Sequence, residues 1–241
     1  MGTVPLPRRL LAEAVGSALL AAVVLGSGIA AQRLSPGDVG LQLLENAAAT
    51  AAGLYAIILM VGPVSGAHLN PVVSLVDAHL GGLSFRDAIA YLPAQVGGCI
   101  AGAVLANLMF AEPAVSMSTK HRATGAHWLS EVVATVGLLL VIFSLARSGR
   151  RAAAPSAVGA YIGAAYFFTS STSFANPAIT VGRMFSDSFA GIAPASAPAY
   201  VAAQAVGGLL AVGLLRGLYP GVTSADAAQA VLPREAPVPR T

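Results

Sequence analysis

Pro63-Val64-Ser65-Gly66-Ala67-His68-Leu69-Asn70-Pro71-Val72 and, in the second half of the chain, Ser170-Ser171-Thr172-Ser173-Phe174-Ala175-Asn176-Pro177-Ala178 decide the fold. Each is a small-residue, Ser-containing loop that ends in Asn-Pro, lies in apolar surroundings and leads into a short apolar run. Asn is a strong helix N-cap and Pro fits the first helical position. Both pairs therefore predict a helix start. A helix that begins at membrane depth exposes unpaired N–H groups, which must face protein or a water-filled cavity. Two such starts in one chain predict a pore.

The rest of the composition places the chain in a bilayer. Hydrophobic residues make up 56% of the 241 residues and charged residues 10%, where a soluble domain carries about a quarter charged. A single cysteine, Cys99, excludes a disulfide framework, and no clustered ligands suggest a metal or other cofactor. The net charge of +3 does not point to nucleic acid, because the basic residues sit between apolar segments and at the ends. Residues 10–30 are too long for the apolar part of a cleaved signal peptide and are followed by further membrane segments.

Apolar windows near the ~20 residues needed to cross a bilayer fall at about 10–30, 41–62, 87–110, 128–146, 157–174 and 198–218. The runs after the two Asn-Pro pairs, about 71–80 and 177–187, are too short to cross and read as half-helices. The expected fold is an all-α integral membrane bundle of six transmembrane helices and two re-entrant half-helices. The halves repeat. Leu11-Ala12-Glu13-Ala14-Val15-Gly16 parallels Leu129-Ser130-Glu131-Val132-Val133-Ala134, and Tyr91-Leu92-Pro93-Ala94-Gln95 parallels Tyr200-Val201-Ala202-Ala203-Gln204. An odd number of spans per half inverts the second half relative to the first, an arrangement that builds solute sites where broken helices converge. The expected organisation is a cytoplasmic tail over 1–9, a first repeat over 10–110, an external loop over 111–127, a second repeat over 128–218 and a Pro-rich, disordered tail over 219–241.

Orientation follows from Lys and Arg placement. With the amino terminus inside, Arg8, Arg9, Arg86, Arg147, Arg150, Arg151, Arg216, Arg234 and Arg240 are cytoplasmic, and only Arg33, Lys120, Arg122 and Arg183 lie towards the outside. Both termini are expected in the cytoplasm of a cell with this protein in its inner membrane. The Gly98/Gly102 and Gly159/Gly163 spacings permit close helix approach and read as packing.

Taken together, the paired Asn-Pro half-helices, Ser65-Gly66-Ala67-His68-Leu69-Asn70-Pro71, a membrane Glu near the start of each half and the two Ala-Gln pairs resemble the aquaporin, or major intrinsic protein, family over about residues 8–218. That resemblance implies a bundle with one pore per subunit, usually a homotetramer, and passive, downhill transport. It implies that Asn70, Pro71, Val72, Asn176, Pro177 and Ala178 form the mid-membrane constriction, with both Asn amides donating to the passing solute. The half-helix dipoles there repel cations and protons.

Two positions depart from the family pattern. Val72 stands where the first triplet has Ala, which changes shape near the constriction. Ile179 stands where Arg is expected, three residues past Asn176, in the outer selectivity filter. Carrying the other filter positions over by spacing from the two Asn residues gives Thr50, Ala164, Ser173 and Ile179. Such a filter has no aromatic ring, no His and no charge. It is expected to pass uncharged solutes wider than water, such as glycerol, urea, boric acid and arsenous acid. The Ser173-Phe174-Ala175-Asn176-Pro177-Ala178-Ile179 context also resembles a bacterial subgroup of aquaporins associated with arsenic resistance.

Several residues admit two readings. Glu13 and Glu131 are ionisable groups inside spans, where a proton or ion path is the default. Their matched places in the repeats favour a brace that accepts backbone N–H bonds from the re-entrant loops. His68 either lines the pore or holds its loop. Arg183, four residues past Ile179 on the same helical face, either supplies part of the missing filter charge or pairs locally. Tyr166, Phe167 and Phe168 read as bundle packing rather than filter, with the alternative that one of them faces the pore. A coupled secondary transporter shares inverted repeats and broken helices, with Glu13 and Glu131 as its only candidate coupling groups. A water-conducting aquaporin is the nearer alternative. No paired carboxylates, metal-ligand spacing or nucleophile–base pattern supports an enzyme.

Overall fold

The computed structural model describes residues 4–220. Among them the chain forms eight α-helices and no strand: α1 (Leu6–Leu34), α2 (Val39–Ser65), α3 (Pro71–His79), α4 (Phe85–Met109), α5 (Gly125–Arg147), α6 (Ala154–Phe168), α7 (Pro177–Gly182) and α8 (Ala197–Leu218). The tail expected beyond Pro220 lies outside the described residues. α1 begins at Leu6, within the stretch expected as the amino-terminal tail, with Pro7 inside its first turn, a position where the missing Pro N–H is harmless.

Five elements are long and apolar enough to cross a membrane: α1, α2, α4, α5, and α8 with the turn before it. The sixth apolar helix, α6, has 15 residues and is led into by a 3₁₀ turn at Arg151–Ala153. It ends at Phe168, earlier than the expected 174. The reason is local: Thr172, Ser173 and Ala175 take positive φ of 61°, 47° and 48°, which no helix tolerates, so the chain has already turned back towards Asn176. The second half-helix is also shorter than expected. α7 stops at Gly182 and tightens into a 3₁₀ turn over Arg183–Phe185. Gly182 lies so close to Cys99 of α4 that a Cβ there would sit 2.8 Å from the Cys99 Cβ and carbonyl oxygen.

The packing repeats as the sequence does. α1 lies along α4 and α2, and α5 lies along α8 and α6. α3 and α7 each pack against both α4 and α8, so each half-helix is held by one span of its own half and one of the other. α2 against α6 closes the bundle. Gly98 and Gly102 let α4 meet α1 backbone to backbone, since a Cβ on either would collide with the carbonyl oxygens of Ala14 or Ala18. Outward-facing Leu11, Leu129 and Leu209 are 65%, 64% and 76% exposed, the arrangement of a bundle whose outer surface meets lipid.

Candidate functional site

The site is built from two loops that mirror each other. Before α3, Ala67 and Leu69 take positive φ of 49° and 52°; before α7, Ser173 and Ala175 take 47° and 48°. Non-glycine residues in this region cost free energy and persist only where surroundings enforce them. Here a buried carboxylate does so in each half. The Glu13 side chain accepts from His68 N at 3.0 Å, Leu69 N at 2.6 Å, Ser65 Oγ at 2.6 Å and Gln95 Nε2 at 2.8 Å. Glu131 accepts from Phe174 N and Ala175 N, both at 2.9 Å, and from Gln204 Nε2 at 2.6 Å. Each Gln also donates to a hydroxyl one turn into the half-helix, Ser74 or Thr180, and that hydroxyl donates to the carbonyl of the capping Asn. The Ser74 and Thr180 links escaped sequence reading, although both lie four residues past an Asn-Pro Asn.

Asn70 and Asn176 cap α3 and α7. Asn70 Oδ1 accepts from Val72 N at 2.9 Å, and Asn176 Oδ1 accepts from Ala178 N at 2.9 Å and Ile179 N at 3.3 Å. Each amide then reaches across to the other half: Asn70 Nδ2 donates to Ala175 O and Asn176 Nδ2 donates to Leu69 O, both at 2.7 Å. A carboxamide nitrogen carries two N–H donors. One on each Asn is held by the opposite loop, and the other has no protein acceptor among the described residues. Both Asn residues line a central cavity.

Of the four expected filter residues, that cavity is lined by Thr50, Ser173 and Ile179 but not by Ala164. Ala164 is on the exposed outer face of α6. The lining face of α6 is Val158, Ile162 and Tyr166, a four-residue rhythm from which position 164 is turned away by about 200° at 100° per residue. On α6 it is Tyr166 that lines the cavity at this level, 2% exposed and with its hydroxyl 3.2 Å from Thr50 Oγ1. The α6 wall is thus aromatic and hydroxyl-bearing where the spacing placed the methyl of Ala164. Phe167 and Phe168 are half-exposed on the outside. Leu20, Leu54, Leu138 and Ile142 complete an apolar side.

Charge is arranged at both ends. Towards the amino-terminal face, His68 lines the cavity, with Nδ1 3.1 Å from Ser74 Oγ and Nε2 3.3 Å from Asp77 Oδ2. On the opposite face Arg183 lines the cavity, is 1% exposed and lies 3.4 Å over the Phe174 ring. The local-pairing alternative accounts for only part of it: Nε donates to Ala190 O, while Nη2 has no partner among the described residues. In the loop between α4 and α5, Lys120 Nζ donates to Phe189 O at 2.7 Å. Burial first, and then Arg122 and Arg183, push the Lys120 ammonium down to about 8. No cluster of His, Cys, Asp and Glu suited to a metal occurs among the described residues.

Comparison with known proteins agrees with this architecture. The family model described as Major intrinsic protein matches residues 1–175 and 157–238. The chain is 50% identical over 213 residues to "Aquaglyceroporin AqpS" of Rhizobium meliloti (strain 1021), covering 88% of this chain and 91% of that protein. It is 37% identical over 129 residues to "Aquaporin-10" of Milnesium tardigradum, covering 52% of this chain and 30% of that one. Among solved structures, the aquaglyceroporin from Plasmodium falciparum superposes with a TM-score of 0.69 at 21% identity, over 90% of this chain and 98% of that one. Mirrored loops, crossed Asn caps and six apolar helices, together with these matches, make the chain a multi-pass membrane protein of the major intrinsic protein family.

Proposed function

We propose that the chain is a passive membrane channel for small uncharged solutes, conducting water and glycerol-like polyols, with neutral metalloid acids such as arsenite in the same class. The observation that carries this is the pair of Asn caps. Their Oδ1 atoms are fixed by helix N–H groups and one N–H each by the opposite loop, so one rigid donor per Asn is left to the cavity. A solute oxygen passing there accepts from both. A water molecule so held has its lone pairs engaged and cannot relay a proton along a chain of its neighbours. Most of the remaining wall is apolar, so a solute must arrive with few charges and leave without a barrier of tight binding.

Selectivity falls to Thr50, Tyr166, Ser173 and Ile179. An aliphatic side chain at 179 leaves room and removes a cation from that depth, which suits solutes wider than water. The half-identical relative named an aquaglyceroporin supports the same class. Glu13 and Glu131 act as braces: every bond given above runs from them to a loop or to Gln95 or Gln204, so they are occupied as acceptors and do not serve as coupling groups. His68 holds its loop from within the cavity wall. The working unit is a homotetramer in the inner membrane with both termini cytoplasmic, and it catalyses no reaction.

Stopped-flow light scattering on proteoliposomes tests this with water, glycerol and arsenite gradients. Glycerol and arsenite are expected to cross faster than in empty vesicles, without accumulation against a gradient. Passage of water alone would overturn the wide-filter reading and leave a water-conducting aquaporin.

A further inference from the structure

We infer that Arg183 and Ser173 form a hydroxyl-binding subsite in the outer half of the cavity, one that recognises solutes carrying two or more hydroxyls over water. The inference rests on the channel reading above and names what its filter binds.

Two buried arginines stand side by side on this face and are used differently. Arg122 is 5% exposed and gives all three nitrogens to backbone: Nε to Gly191 O at 3.0 Å, Nη1 to Ser171 O at 3.1 Å and Nη2 to Phe189 O at 3.4 Å. It is a structural cross-link of the outer loops. Arg183 is buried more deeply, yet Nε alone donates to a protein acceptor among the described residues. A buried charged donor without an acceptor is costly, so its retention asks for an acceptor that comes and goes. The Phe174 ring covers one face of the guanidinium at 3.4 Å, and Nη2, buried and without an acceptor among the described residues, belongs to a side chain that lines the cavity.

Ser173 supplies the second half. Its backbone is held in the left-handed region at φ 47°, its N–H donates to Ser171 Oγ, and its own Oγ is buried without a partner in the wall of the same cavity. Two unmatched polar groups, a donor and a hydroxyl able to donate or accept, thus share one chamber with the Thr50–Tyr166 hydroxyl pair and the Ile179 side chain. Water offers a single oxygen to these groups. A polyol offers adjacent oxygens to the polar side and its carbons to Ile179. Among the described residues no carboxylate forms an ion pair with Arg183: Glu131 acts on it only through space and gives its oxygens to two backbone N–H groups and Gln204. The subsite therefore takes neutral oxygen-rich solutes and repels cations.

The test is Arg183→Met, a substitution close in length, reconstituted and compared with wild type as the ratio of glycerol to water permeability in the same vesicles. The ratio cancels differences in the amount of inserted protein. Loss of a hydrogen bond from a charged donor predicts a fall of about tenfold. A ratio unchanged or raised overturns the subsite. Wild-type vesicles that pass no glycerol overturn the channel reading itself, and the subsite with it. Should Arg183→Met fail to insert, Ser173→Ala carries the same test with an expected fall of about threefold, and again an unchanged ratio overturns the proposal.

Discussion

On the amino-terminal face, His68 sits edge-on to Tyr91 at 5.5 Å and pairs with Asp77. In the corresponding places of the opposite half, Phe174 sits edge-on to Tyr200 at 5.0 Å and lies under Arg183. The residue two before each Asn and the residue seven after it thus pack together in both halves, once as imidazole and carboxylate, once as ring and guanidinium. Everything beneath is shared: a buried Glu, an Ala-Gln pair, a hydroxyl four past the Asn and a crossed amide. The scaffold is duplicated, while the pair of side chains set on it differs from one face to the other. A frame held by backbone bonds can accept such changes because neither His68 nor Phe174 supports its loop through its side chain alone.

The largest effect should come from breaking the shared part. Glu13→Ala orphans the buried His68 and Leu69 N–H groups, at about 1–3 kcal/mol for each donor left unmatched, and takes one of two acceptors from each of Ser65 and Gln95. Thermal unfolding in detergent should show it as the most destabilised single variant. Glu131→Ala loses one partner fewer and should rank second. Equal unfolding temperatures would mean that the halves are braced with equal strength despite the extra Ser65 bond.

Ile179→Arg tests the part that differs. A guanidinium at that depth should lower glycerol permeability about tenfold, equivalent to about 1.4 kcal/mol in the barrier, while water continues to pass. The matching substitution in the other half, Val73→Arg, lies in the same cavity as His68, whose ring pairs with Asp77 one turn further along α3. A carboxylate is available there to pair with it, so the loss of glycerol flux should be smaller. If Val73→Arg is the more severe of the two, selectivity resides in the inner half.

The smallest effect concerns Lys120. Its folded value of about 8 lies below the ordinary 10.5, so between these pH values the unfolded chain binds more protons than the folded one. Stability must then rise with pH across that window and stay level below it. Because Lys120 is partly exposed, the rise is shallow. Unfolding temperatures of wild type and Lys120→Met should diverge in slope between pH 8 and 10; parallel curves would assign the titration to another group.

Much of this was legible in the chain. Asn-Pro pairs announce two helix starts because N-cap and N1 chemistry is local. Glu13 and Glu131 were readable as braces because an ionised group in a span needs donors and the loops supply them. What failed were inferences that depend on how the chain turns between elements. Counting back from Asn176 reached Ala164 because a fixed count presumes a fixed loop. Thr172, Ser173 and Ala175 turn the chain in the left-handed region, and the α6 face that meets the cavity carries Tyr166. Arg183 was left open for a related reason. Whether a long side chain lies along the wall or turns away depends on the 3₁₀ turn at 183–185 and the Phe174 ring beneath it, and both are tertiary facts.

The crossed amides have a consequence for how such a chain matures. Asn70 needs a carbonyl from the second loop and Asn176 needs one from the first. Each half can cap its own half-helix, but neither can complete the amide bond that crosses to the other. A translating ribosome that has delivered only the first three spans leaves Asn70 Nδ2 without the Ala175 acceptor, and the loop stays unlatched until the second half arrives. The latch thus makes the two repeats a single cooperative unit in biogenesis, although each has the look of an independent module.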